Sequence, residues 1–244
     1  LMTSLNHLSV VEAARRIARR ELTAEAYVRS FLDRIAEHES DVRAWVVVGR
    51  EQALARARAL DAGSIAGPLH GIPIGIKDVF ETYDMPTQGG SKVYEGFHGP
   101  IDAACVALFR RAGGVILGKT VTTELATTPP NGTRNPHNLE HTPGGSSSGS
   151  AAGVADYMVP LATGTQTLGS TIRPASFCGV VSVKPTYNLI PKKGMWNSSD
   201  SNDTVGLFAN SVADVAYLLA ATMQFPALCV PDSPSVPRIG LCRT

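Results

Sequence analysis

Lys77, Ser146 and Ser170 are the side chains of this chain whose types could do chemistry together. Lys77 closes an apolar run, Ile72-Pro73-Ile74-Gly75-Ile76-Lys77-Asp78. Ser146 lies in the block Gly144-Gly145-Ser146-Ser147-Ser148-Gly149-Ser150. Ser170 lies in Thr165-Gln166-Thr167-Leu168-Gly169-Ser170-Thr171-Ile172-Arg173-Pro174. A neutral lysine can take a proton from one serine, and that serine from a second, which then attacks a carbonyl carbon. No histidine is needed. The isoleucines around Lys77 predict a buried strand, and burial disfavours the ammonium. A lysine base working near neutral pH needs its pKa lowered by about three units, a cost of about 4 kcal/mol that only a functional site repays.

Each residue alone has an ordinary explanation. A lysine at a strand end usually reaches out to water. Gly/Ser blocks are usually linkers. Ser170 alone would be a turn serine. However, apolar helix-like sequence, Ala151-Ala152-Gly153-Val154-Ala155, follows the Gly/Ser block at once, which predicts a tight turn rather than a spacer. The Gly-containing turn at Ser170 can also converge backbone N–H groups on an oxyanion.

Two other patterns compete. Gly113-Gly114-Val115-Ile116-Leu117-Gly118-Lys119-Thr120 matches the P-loop letter for letter. A P-loop needs a strand before it and a flexible loop. Here the preceding segment reads as helix and Val-Ile-Leu reads as strand, so a nucleotide site is rejected. Ser147 sits in a formal G-x-S-x-G, which would pair it with His137 or His141 in a Ser-His-Asp hydrolase. That motif requires a strand before the serine. The residues ahead, Asn135 to Pro143, read as loop.

The elements that must position these groups follow from periodicity and caps. Ser9-Val10-Val11-Glu12 is a capping box that starts a helix. Helices are predicted over Ala24–Glu37, Glu51–Ala62 with Gly63 as its C-cap, Asp102–Ala112, Ala151–Asp156 and from Ser211 to about Met223. Strands are predicted over Ala44–Val48, Ile72–Lys77, Val115–Leu117, Val159–Ala162, Val180–Lys184 and Arg238–Cys242, those at Val159 and Val180 as buried ones. Helices alternating with short apolar strands predict an α/β layered fold with a mixed sheet. Phe225–Pro237 is the best candidate boundary. The chain stops at Thr244 just after a predicted strand, which reads as the front part of a longer protein.

Bulk numbers narrow the class. The chain has 244 residues, 43% of them hydrophobic, enough for a substantial core. With 22 basic and 21 acidic residues the net charge is +1, which offers nothing to nucleic acid or an anionic membrane. No apolar run is long enough to span a bilayer, and Leu1–His7 shows no signal-peptide pattern. Cys105, Cys178, Cys229 and Cys242 form no C-x-x-C pair. The expectation is a cytoplasmic protein with reduced thiols, no metal and no cofactor; a Cys229–Cys242 bridge is disfavoured.

Taken together, Gly71-Ile72-Pro73 with Lys77-Asp78, Gly118-Lys119-Thr120, Pro143-Gly144-Gly145-Ser146-Ser147, Cys178-Gly179-Val180 with Lys184-Pro185-Thr186, and Asp203-Thr204-Val205-Gly206 resemble the amidase signature family over nearly the whole chain. The resemblance implies one amidase signature domain over 1–244, its N-terminal portion, with a mixed twisted sheet covered by helices on both faces. It implies Lys77 as base, Ser146 as bridging serine after a cis peptide bond, and Ser170 as nucleophile. Backbone N–H groups of Thr167, Leu168, Gly169 and Ser170 match the oxyanion hole. The segments around Gln166 and Arg173 look similar to malonamidase-type members; more typical members carry Asp where Gln166 stands. Arg173 would then clamp a carboxylate on a small amide such as malonamate. The alternative is a structural ion pair. Leu168 stands where the family usually has Gly, so either a strained φ or a narrowed pocket is expected there. The partner expected is a small-molecule amide, with a homodimer left open. The rival readings are the glutaminase-type component of a tRNA amidotransferase, which passes ammonia to a partner, and a non-catalytic remnant that binds ligand through Arg173.

Overall fold

A computed structural model describes residues 4–223. The predicted strand at Arg238–Cys242, the boundary at Phe225–Pro237, and Cys229 and Cys242 lie outside the described residues. Six strands form one mixed sheet in the order β1-β3-β2-β4-β6-β5. They are β1 (Trp45–Val48), β2 (Pro73–Lys77), β3 (Val115–Thr120), β4 (Leu161–Gln166), β5 (Val181–Val183) and β6 (Thr204–Ala209). β2 runs parallel to both β3 and β4, while the β1–β3, β4–β6 and β5–β6 pairings are antiparallel. The helices are α1 (Val10–Ala18), α2 (Ala24–Val42), α3 (Arg50–Ala62), α4 (Ala104–Arg111), α5 (Ser148–Ala155), α6 (Ile172–Cys178) and α7 (Val212–Met223). They cover both faces of the sheet, as expected for an α/β layered fold.

Local chemistry explains most boundaries. Ser9 caps α1 by accepting from Glu12 N, and Ser211 caps α7 by accepting from Asp214 N. α2 runs past the predicted Glu37 to Val42 because Arg43, not a glycine, takes the left-handed cap at φ 56°. Glu39 in that last turn accepts from Ala44 N and Trp45 N, which feeds the chain directly into β1. Gly63 does follow α3, but in extended rather than left-handed conformation. Pro73 is tolerated in central β2 because it stands at the strand's first position, where no ladder donor is needed.

Three strands depart from the sequence reading. β3 continues through Gly118-Lys119-Thr120, all buried, so the P-loop letters spell a core strand. It follows helix α4, the reverse of a P-loop's context. β5 is only half-buried, as suits an edge strand, and not the buried strand predicted. β6 had no prediction, since Gly206 weakens its strand pattern. The reason for that glycine is a close approach: a Cβ there would lie 2.2 Å from Thr171 Oγ1.

The start of α5 is pressed against β3. A Cβ on Gly149 would lie 2.2 Å from the Ala44 carbonyl oxygen and 2.4 Å from Val121 N, both backbone atoms. Gly149 N also donates to Val121 O at 2.9 Å. Alanine usually gains about 1 kcal/mol over glycine in a helix. Here the clash wins, because neither neighbour is a side chain that can swing away. Gly149→Ala is expected to lower the melting temperature, with a net loss of about 1–3 kcal/mol in denaturant unfolding.

Candidate active site

The C-terminal end of β2 and the neighbouring β4 build the site. Alternation along β4 puts Thr163, Thr165 and Thr167 on one side of the strand and its continuation. Thr163 Oγ1 accepts from Lys77 N at 2.9 Å. Lys77 Nζ donates to Thr165 Oγ1 at 2.6 Å and to Ser146 Oγ at 2.8 Å. Thr167 Oγ1 donates to Asp203, at the start of β6. The lysine is thus held at both ends by one threonine row.

Lys77 has no exposed surface at all. Desolvation pulls its pKa from 10.5 down to about 7, and the carboxylate of Asp203 works in the opposite direction. Beside it, Asp78 and Lys119 form a buried ion pair at 3.1 Å. Burial pushes Lys119 down and Asp78 up, while their mutual attraction opposes both. Lys119 is also fixed by Thr87 Oγ1 at 2.7 Å and Pro86 O at 3.0 Å. The second lysine is therefore engaged, and Lys77 is the one that shares its amine with a serine.

Ser146 follows a cis peptide bond from Gly145 and is 1% exposed. Its carbonyl accepts from Thr123 N at 3.0 Å. Ser147 N in turn donates to the Ser170 carbonyl at 3.2 Å, which brings the two Ser-containing turns together. Ser170 is half-buried, and its hydroxyl has no hydrogen-bond partner among the described residues. Gln166 Oε1 accepts from Thr171 N at 3.0 Å and Ile172 N at 2.9 Å, closing the turn 166–172. Within that turn the N–H groups of Leu168, Gly169 and Ser170 have no acceptor among the described residues. Such donors are available to a developing oxyanion.

Leu168 does not bear out the expected strain. It is absent from the residues with positive φ, and it is 91% exposed. Its side chain points out of the protein, so it neither strains the turn nor lines the adjoining cavity. That cavity, about 320 Å³, is bordered by Thr123, Gly144, Gly145, Arg173 and Phe177. Arg173 Nε donates to the Gly145 carbonyl at 3.1 Å. Among the described residues it pairs with no carboxylate, which removes the structural ion pair as its explanation there.

The competing Ser147 site does not assemble. Ser147 is fully buried and its hydroxyl accepts from Thr165 N at 3.3 Å. His137 pairs instead with the Cys178 carbonyl at 2.9 Å. No group of three or more His, Cys, Asp or Glu side chains is placed to hold a metal among the described residues. Sequence reasoning missed Thr123, Thr163, Thr165 as a lysine partner, and Asp203. The alternating Thr-x-Thr-x-Thr of β4 was the available signal.

A mixed sheet with a buried lysine sharing its amine with a serine is an arrangement suited to amide hydrolysis. The chain belongs to the amidase family, a family of hydrolases, whose sequence profile matches residues 26–235. It is 47% identical over 230 residues to the A-type subunit of the glutamyl-tRNA(Gln) amidotransferase of Acidothermus cellulolyticus, covering 90% of this chain and 46% of that protein. Its fold matches the peptide amidase of Stenotrophomonas maltophilia with a TM-score of 0.82 and 37% identity, over 88% of this chain and 47% of that one. It matches the corresponding glutamyl-tRNA(Gln) amidotransferase subunit of Thermotoga maritima with a TM-score of 0.78 and 33% identity, over 89% and 47%. The chain spans about half the length of the curated relatives it matches. These relatives support the expected family rather than the finer malonamidase kinship. No helix among the described residues is long and apolar enough to cross a membrane.

Burial of Lys77 carries a pH signature in stability. Above about 10.5 the lysine is neutral in folded and unfolded chains, and no penalty exists. Below about 7 it is charged in both, and the folded state bears the whole cost, about 5 kcal/mol at 1.36 kcal/mol per unit. Lys77→Met removes this dependence. The unfolding free energy of the variant minus that of the wild type is expected to fall by about 4–5 kcal/mol between pH 7 and 10.5, read by urea titration at each pH.

Proposed function

We propose that this chain carries the catalytic core of an ammonia-releasing amide hydrolase working through a Ser-Ser-Lys triad. The observation that carries the reading is the fully buried Lys77 amine, 2.8 Å from Ser146 Oγ and with a pKa of about 7. Neutral Lys77 takes the proton of Ser146 as Ser146 takes that of Ser170. Ser170 Oγ then bonds to the amide carbon. The oxyanion that forms faces the N–H groups of Thr167, Leu168, Gly169 and Ser170. The proton returns through Ser146 to the leaving nitrogen, the C–N bond breaks, and ammonia departs. Water cleaves the resulting acyl-enzyme.

Similarity to these glutamyl-tRNA(Gln) amidotransferase subunits favours glutamine as the amide, with ammonia passed on to a partner protein. A second reading, malonamate, is favoured by Arg173. Its guanidinium borders the cavity without a carboxylate partner among the described residues. Both substrates join a primary amide to a carboxylate. They differ in span: one methylene separates the groups in malonamate, and a longer chain separates them in glutamine.

The test is ammonia release from glutamine, malonamate and propionamide. Release is expected from a carboxylated amide, with activity rising as pH climbs through about 7, because the protonated lysine cannot accept a proton. Ser170→Ala is expected to cost at least about 10³-fold in kcat. Arg173→Leu is expected to raise KM about 10–100-fold for malonamate, the loss of a charged hydrogen bond, while leaving propionamide unchanged. Turnover that survives Ser170→Ala, or a Ser170 that a fluorophosphonate does not label, would sink the triad.

A further inference from the structure

Asp203 stands at the head of β6 with only 4% of its surface exposed. It forms no ion pair among the described residues. Its Oδ1 accepts from Thr167 Oγ1, and its Oδ2 accepts from Ser198 N at 2.6 Å and Ser199 N at 3.0 Å. Two of the three partners are backbone N–H groups that can only donate, and both fall on one carboxylate oxygen, while the Thr167 hydroxyl takes the other. A buried carboxylate without a cation still calls for a reason beyond hydrogen bonding.

Its neighbours supply one. Thr167 begins the turn whose N–H groups await an acceptor. Thr165, two residues earlier on the same side of the chain, holds Lys77 Nζ. We infer that Asp203 is a positioning residue with two partners: its carboxylate anchors Thr167 at the head of the oxyanion turn, and its charge faces Lys77 along the threonine row. The inference rests on Lys77 being the base, as proposed above. Among the described residues, Asp203 is the carboxylate whose charge opposes the desolvation of Lys77, and it favours the ammonium. The other charged groups nearby are accounted for. Asp78 on β2 and Lys119 on β3 neutralise each other at 3.1 Å. Glu124 accepts from Ser91 Oγ at 2.8 Å, and Arg173 on α6 bonds the Gly145 carbonyl. Strands β4 and β6 and helix α5, which also pack here, carry no charged residue.

Two substitutions in the intact protein pull the base in opposite directions. Asp203→Asn removes the charge, so the acid limb of the kcat profile moves to lower pH by about one unit. Thr167→Val removes a donor that partly neutralises the carboxylate, so the limb moves to higher pH, by about half a unit. Both are expected to lower kcat more than KM, since the oxyanion turn acts in the transition state. A purely structural aspartate would lower activity and leave the limb in place. Unmoved limbs in both variants overturn the inference, as does a shift of both in one direction. If Asp203→Asn does not fold, Thr167→Val alone decides: an upward shift supports the inference and an unmoved limb overturns it. A wild-type profile with no limb near 7, or activity that survives Lys77→Met, removes the base itself and with it the inference. That failure is distinct from a wild-type limb that the two variants do not move.

Discussion

The desolvated amine of Lys77 is the constraint on which the rest of the site depends. An ammonium there has lost its water and gained, among the described residues, two hydroxyl oxygens, from Thr165 and Ser146. The fold accepts the resulting penalty because the sheet holds the lysine fully enclosed, with β3 on one side of β2 and β4 on the other. Two polar groups in the neighbourhood are engaged elsewhere. Lys119 is claimed by Asp78, and Ser147 by the backbone of Thr165. What remains is one buried amine in contact with two hydroxyls, one of them a serine's.

The same economy shapes the turn that carries Ser170. It is closed from below by Gln166, whose side-chain oxygen takes both Thr171 N and Ile172 N. It is tied at its head by Thr167 to Asp203, and at its carbonyl by Ser147. The backbone donors in between are left without an acceptor among the described residues. A turn with its own ends so fixed needs little rearrangement to meet a developing charge, and this is the condition under which preorganised donors are most effective.

Much of this was legible in the sequence, for local reasons. Lys77 in a run of isoleucines and the Gly/Ser block ahead of an apolar helix each announce burial, and their pairing emerged at hydrogen-bond distance. The α/β alternation and the mixed sheet followed from periodicity and capping residues. The misses have physical causes. β6 was hidden because Gly206 must stay small for Thr171, a contact between segments far apart in sequence. β3 was cut short because Lys119 looks like a solvent-facing residue until Asp78 is seen beside it. Leu168 was read as strain from a family pattern, but this turn keeps it out of the left-handed region and lets its side chain reach solvent. Thr163, Thr165 and Asp203 serve the site through distant partners, and single-residue patterns carry no record of such pairings.

The separation between Lys77 and Ser146 has a consequence for the life of the chain before it folds. The two residues are 69 positions apart and meet only once β2 is covered. In an open chain the same lysine is hydrated, keeps an ordinary affinity for its proton, and has no serine at hydrogen-bond distance. Non-local pairings of this kind form late, after much loop entropy has been lost. On the proposed mechanism, an unfolded copy carries Lys77, Ser146 and Ser170 without the pairing that would activate them. Assembly of the sheet is then itself the safety catch on the proposed nucleophile.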